Sequence, residues 1–146
     1  MFGLLRSFVV SVVVAAAVLV SGGASTASAA VDVRVDVSKQ RMLVYVEGEL
    51  AYSWPVSTGR KGYATPRGTY RPQRLARMHF SRKYNNAPMP HAVFFRGGYA
   101  IHGTNAVRRL GRPASHGCVR LAKGNARELF QLIREYRGNA RITIHA

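Results

Sequence analysis

From Val31 to Val37 the chain reads V-D-V-R-V-D-V, a strict alternation of apolar and polar positions. A period of two places all four valines on one side, so this segment is expected to be a strand with one wet face. Arg41 to Val46 and Glu49 to Ser57 are rich in β-branched and aromatic residues and flank Glu47-Gly48, a pair that suits a hairpin turn. The chain should therefore open as a β-meander. Thr65-Pro66-Arg67-Gly68-Thr69-Tyr70 begins with turn residues and is expected to pass into one further strand ending near Arg77. Ser81 to Pro90, with Asn85-Asn86 and two prolines, reads as a loop. His91 to Arg96 and Tyr99 to His102, joined by Gly97-Gly98, read as a second hairpin, with a loop from Gly103 to His116 beyond it.

The hydrophobic period changes only once. Between Lys123 and Tyr136 the apolar residues Ala126, Leu129, Phe130 and Ile133 recur at i, i+3, i+4 and i+7, and Gly138 follows as a stop signal, so this is the one helix expected. Ala122 at its start is a poor N-cap. Ala140 to Ile144 should close the chain as a strand. The elements add up to a mainly β domain with one principal helix packed near the C-terminus.

The first 29 residues read differently. Arg6 lies in a short basic start, Phe8 to Val20 is almost unbroken apolar, and small residues lead to Ala27-Ser28-Ala29, an A-x-A cleavage pattern. Residues 1–29 are expected to be a signal peptide and residues 30–146 a single exported domain; an uncleaved N-terminal anchor is the alternative. The apolar run is shorter than the roughly 20 residues of a spanning helix, so no integral membrane segment is expected after cleavage. Lys and Arg number 22 against six acids, a net charge of +16, and only Arg6 is lost with the signal. That excess attracts polyanions. In an exported protein the partner is anionic cell-wall polymer or an envelope surface rather than nucleic acid.

Charge leaves the chemistry open; the cysteine count narrows it. Cys118 is the only cysteine, so no intramolecular disulfide can form, and a lone thiol in an oxidising compartment calls for a purpose. It lies in Ser115-His116-Gly117-Cys118, with His102 sixteen residues upstream. Thiol acyl transfer needs a nucleophile, a base and oxyanion donors. Cys118 supplies the first. Two histidines compete for base; His116, two residues from Cys118, stands where a side chain more often serves position than proton transfer, so His102, on another strand, is the favoured base. No acid lies between Leu50 and Arg127, so the imidazole is oriented either by a distant acid or by a backbone carbonyl, most simply that of Gly103. Gly117 permits close backbone approach, and the amides of Gly117 and Cys118 are candidate oxyanion donors. Arg120 would share a strand face with Cys118 and suits a substrate carboxylate. A zinc site built from Cys118 and histidines is the weaker reading, because His79 or His91 would have to be drawn in as a further ligand. Neither metal nor cofactor is expected.

Ile101-His-Gly-Thr-Asn105 through Ser115-His-Gly-Cys-Val-Arg-Leu121 resembles the catalytic motif of the L,D-transpeptidases, the YkuD-like family. Thr65 to Tyr70, Ala87-Pro-Met-Pro90, Phe94-Phe95 and Gly98-Tyr-Ala-Ile-His-Gly103 resemble the blocks that precede it. The resemblance implies a β-sandwich-like catalytic domain in the periplasm or cell envelope, with Cys118 as nucleophile, His102 as base and Gly103 as its backbone orienter. Ser115, His116 and Gly117 would be motif support. It implies peptidoglycan tetrapeptide stems as donors, an amine or an envelope protein as acyl acceptor, and carbapenems as covalent inhibitors. The product would be a 3→3 cross-link or a wall-attached protein; an L,D-carboxypeptidase or a non-catalytic basic wall-binding protein are the alternatives. His91 stands where similar proteins often have Tyr, and is a candidate substrate contact.

Overall fold

The computed structural model describes residues 28–146, so all but the last two residues of the expected signal peptide lie outside the described residues. Nine strands and one helix follow in order: β1 Val31–Asp36, β2 Arg41–Val46, β3 Glu49–Pro55, β4 Gly68–Tyr70, β5 Arg74–Ser81, β6 Ala87–Arg96, β7 Tyr99–Thr104, β8 Val119–Ala122, α1 Lys123–Glu135 and β9 Ala140–His145. They form a five-stranded sheet in the order β3-β2-β1-β9-β4 and a four-stranded sheet in the order β5-β6-β7-β8. The protein is mainly β, as its alternating segments require.

The valines of β1 are buried and Arg34 between them is exposed, which is the face assignment that strict alternation predicts. β1 pairs antiparallel with β2 and parallel with β9, so both ends of the domain meet in the centre of one sheet. The inward residues of that sheet meet Val93, Phe95, Ile101, Val119 and Leu121 of the other in a single core. α1 completes this core with Ala126, Leu129, Phe130 and Ile133, all buried. Each such large apolar side chain removed from water contributes about 1.5–3 kcal/mol, so a charge at fully buried Leu129 would break the packing of the helix. No side chain caps α1 at Ala122, which forgoes about 1 kcal/mol. At the other end Gly138, at φ +75°, lets its amide reach the carbonyl of Ile133 at 2.8 Å and ends the helix.

Two segments depart from the sequence reading. The stretch after Thr65 is two strands, not one: it breaks at Arg71-Pro72-Gln73, and β4 pairs with β9 while β5 crosses to the other sheet. The expected loop from Ser81 to Pro90 is only half loop, because strands enter it from both ends. β5 runs to Ser81, a 3-10 turn spans Arg82–Tyr84, and β6 begins at Ala87. Pro88 and Pro90 fit because β6 pairs with β7 only from Val93 onward, while its proline-bearing start pairs with β5 alone. Prolines two residues apart turn their ring nitrogens to the same, unpaired side.

Candidate active site

Parallel pairing of β7 with β8 sets the site. Ile101 lies opposite Val119 and His102 opposite Arg120; the intervening residues Ile101, Val119 and Leu121 face the core. Alternation then sends Ala100, His102, Cys118 and Arg120 to the other face of the sheet. There Cys118 packs against a small cluster of Met89, Ala92, Phe94 and Ala100. His102, Ser115, His116, Cys118 and Arg120 line one cleft of about 160 Å³, with Tyr84 at its edge from the 3-10 turn.

His102 is buried, 6% exposed, and its Nδ1 lies 2.8 Å from the carbonyl oxygen of Gly103. A carbonyl can only accept, so Nδ1 carries the proton and the lone pair is on Nε2. Of the two orienters left open by the sequence, the structure has the carbonyl; no acidic side chain lines the cleft. Burial lowers the imidazole pKa to about 4; the bond to Gly103 opposes this, and the charge of Arg120 adds to it. The ring is neutral over the physiological range. Gly103 is itself constrained, since a Cβ there would come 3.1 Å from the Cα of Lys123 at the start of α1.

The thiol sits in matching surroundings. Burial pushes the Cys118 pKa up, while a backbone hydrogen bond from Ala100 and the positive charge of Arg120 pull against it. Sγ is 3.9 Å from the carbonyl oxygen of Gly98, a long contact even for sulfur. The resting pair is therefore thiol and neutral imidazole, not the thiolate and imidazolium that a preformed ion pair would hold. Arg120 is half-buried, and burial lowers its pKa; the neighbouring Cys118 opposes this, and the charges of Arg109 and Arg60 add to it.

Ser115 is fully buried and braces the turn before Cys118. Its hydroxyl donates to the carbonyl of Cys118 at 2.6 Å and accepts the amide of Gly117 at 3.0 Å. Its own backbone is tied to Thr58 and Arg60. The Gly117 amide is consequently engaged, and of the two expected oxyanion donors only the Cys118 amide has no acceptor among the described residues. Gly117 has φ +115°, and a Cβ would meet the Tyr99 ring at 2.6 Å. Tyr99 could swing aside; the backbone angle would still disfavour any side chain.

His116 is held by aromatic rings. It stacks on Tyr84 at 4.1 Å between centroids and takes the edge of Tyr63 at 4.8 Å. Burial, Arg60, Arg120 and Lys83 all lower its pKa. Tyr63 and Tyr84 come from loops far apart in sequence, and no local motif marked either one. Among the candidates that carry a side chain, only His91 is not brought to the cleft. Its φ of +50° kinks β6, so that Met89 and Ala92, three residues apart, face the same cluster while His91 turns to Phe130 of α1 at 5.4 Å. His79 packs its ring against the edge of Phe94. Among the described residues no three His, Cys, Asp or Glu side chains gather into a metal-binding group.

Comparison with known proteins gives a consistent picture. Residues 30–144 match the YkuD family model, described as the L,D-transpeptidase catalytic domain. The probable L,D-transpeptidase YbiS of Escherichia coli K12 is 28% identical over 68% of this chain and 40% of its own, so the chain spans about two fifths of that relative's length. An L,D-transpeptidase structure from Mycobacterium smegmatis superposes with a TM-score of 0.72 at 25% identity, covering 80% of this chain and 59% of the other. The L,D-transpeptidase LdtMt1, solved in complex with imipenem, shares the fold with a TM-score of 0.71 at 22% identity, covering 80% and 59%.

Proposed function

The chain belongs to the L,D-transpeptidase catalytic domain family, YkuD, and from that premise we propose that it is an exported, cysteine-dependent transpeptidase of peptidoglycan stem peptides. The observation that carries the reading is the shared cleft. A thiol, a neutral histidine with its Nδ1 proton committed to Gly103, and a half-buried arginine line it together.

The chemistry follows from the protonation states. As Sγ of Cys118 attacks the carbonyl carbon between the L-centre of the diamino acid and the terminal D-alanine, its proton passes to Nε2 of His102. The carbonyl oxygen becomes an oxyanion and receives the Cys118 amide. Collapse of the tetrahedral species breaks the C–N bond, and His102 gives its proton to the departing D-alanine amine. The acyl group is then a thioester on Cys118. An acceptor amine attacks it, His102 takes the amine's proton, and the thiol is regenerated as the new amide leaves. With a stem peptide as acceptor the product is a 3→3 cross-link; with an envelope protein it is a wall-attached protein.

Arg120 places its charge beside the thiol and is the group for a stem-peptide carboxylate. Residues 1–29 act as the export signal in this reading, and residues 30–146 work in the periplasm or cell envelope. No helix among the described residues is long and apolar enough to cross a membrane. A carbapenem, whose strained ring presents an acyl carbon to the Cys118 sulfur, would acylate it and stay. The reading is tested by incubating the purified domain with disaccharide-tetrapeptide and following free D-alanine and dimer. Both should appear together; D-alanine without dimer would make the protein a carboxypeptidase, and neither product would reject the activity.

A further inference from the structure

A second concavity, about 410 Å³, is lined by Arg77, His91, Arg127, Phe130, Gln131 and Arg134 and shares no lining residue with the thiol cleft. Arg77 comes from β5, and Arg127 and Arg134 from α1. Seven residues is two helical turns, so the last two stand on one helix face with Gln131 between them. All three arginines are exposed, and the ion pairs among the described residues occupy Arg34, Lys39 and Arg141 instead. Like charges gathered without an acid repel one another. Folding alone gives no reason to collect them there.

His91 adds a second, independent sign. It lines the same concavity, stands in the left-handed region at φ +50°, and its Nδ1 is buried without a hydrogen-bond partner. Burial, followed by Arg127 and Arg77, lowers its pKa, so the ring is neutral and can offer an N–H without adding to the repulsion. A strained backbone and an unsatisfied polar atom beside three guanidinium groups without a carboxylate partner, Arg134 lying over the Phe130 ring, describe a place prepared for an anion.

We propose that this concavity binds phosphate, as the phosphodiester of an anionic envelope polymer or of a lipid headgroup, and does so independently of the thiol chemistry. Phosphate is favoured over carboxylate by the number and spread of donors. Three guanidinium forks from two elements, an amide and an imidazole exceed what two coplanar carboxylate oxygens can accept, whereas phosphate oxygens project in several directions. Such a site would hold the domain at the envelope while leaving the cleft on the other face of the sheet open.

The test uses the purified domain with two probes, a short synthetic glycerol-phosphate oligomer in solution and vesicles containing phosphatidylglycerol. Arg127→Gln/Arg134→Gln is compared with Arg41→Gln/Arg96→Gln, which removes the same charge from exposed positions elsewhere. The pocket variant should bind at least one probe about tenfold more weakly than wild type, a change of about 1.4 kcal/mol, and the control should change far less. Loss of oligomer binding identifies a polymer as the source, loss of vesicle binding a headgroup. Equal losses in both double variants would overturn the proposal. So would polyglutamate binding as tightly as the oligomer with the same dependence on the pocket. Circular dichroism and an unchanged rate of Cys118 alkylation confirm folding, and Arg77→Gln reads the same site from β5 should the helix variant fail to fold.

Discussion

The hydroxyl of Ser115 donates to the carbonyl oxygen of Cys118 at 2.6 Å while accepting the Gly117 amide at 3.0 Å, so one buried oxygen fixes both ends of the turn that carries the thiol. This geometry divides the backbone donors. The Gly117 amide holds the turn, and the Cys118 amide, which has no acceptor among the described residues, is the donor proposed for the oxyanion.

Ser115→Ala should therefore act through the turn. Removing the hydroxyl strands a buried N–H and a carbonyl, at about 1–3 kcal/mol for an unsatisfied group, and lets the Cys118 amide wander from the attacked carbonyl. A thermal melt should fall by several degrees, and acylation by a β-lactam should slow about tenfold or more while Cys118 still reacts with a small disulfide reagent. An unchanged melting temperature would show that the hydroxyl does not hold the turn.

How much of this could be read in advance depended on whether the signal was local. β1 was legible because V-D-V-R-V-D-V has one period and one possible face, and α1 because its four buried residues fall on one stripe. The start of β6 was not, since Pro88 and Pro90 read as loop until β5 is known to pair on one side alone. The absence of any acid near the motif narrowed the orienter of His102 to two choices, and only the fold shows the Gly103 carbonyl at 2.8 Å. Tyr63 and Tyr84 reach His116 through tertiary packing that no spacing encodes. The place of His91 is not legible from a tyrosine at that position in similar proteins, because its left-handed backbone turns it from the cleft toward α1.

The buried imidazole of His102 makes stability depend on pH. Its folded pKa, about 4, lies below the ordinary value near 6.5, so between those values the unfolded chain binds the extra proton. Stability is then full above about pH 6.5 and declines as pH falls toward 4, by up to about 1.4 kcal/mol per unit for this one group. His91 and His116 are shifted in the same direction and add to the slope. Urea denaturation from pH 7 to pH 4.5 should show a shallower decline in His102→Gln than in wild type. Parallel curves would mean that His102 is not held neutral.

The role proposed for Arg120 separates recognition from reactivity. It lies beside His102 in the sheet register and is half-buried, unlike the exposed Arg137. Arg120→Lys keeps the charge but loses the planar fork, so use of a tetrapeptide donor should fall about tenfold, mainly in KM, while alkylation of Cys118 by iodoacetamide stays near wild type. Arg137→Lys should change neither. Equal kinetics for the two variants on the donor would remove the role assigned to Arg120.

The claim on which the mechanism turns is that Cys118 is the acylated atom and His102 takes its proton. Intact-protein mass spectrometry after incubation with imipenem, followed by peptide mapping, tests it most directly. Wild type should gain one acyl adduct at neutral pH, mapped to the peptide containing Cys118; Cys118→Ala should gain none, and His102→Gln should acylate at least about a hundredfold more slowly, as expected on loss of a general base. An adduct forming on Cys118→Ala at the wild-type rate, or on His102→Gln as fast as on wild type, would contradict it.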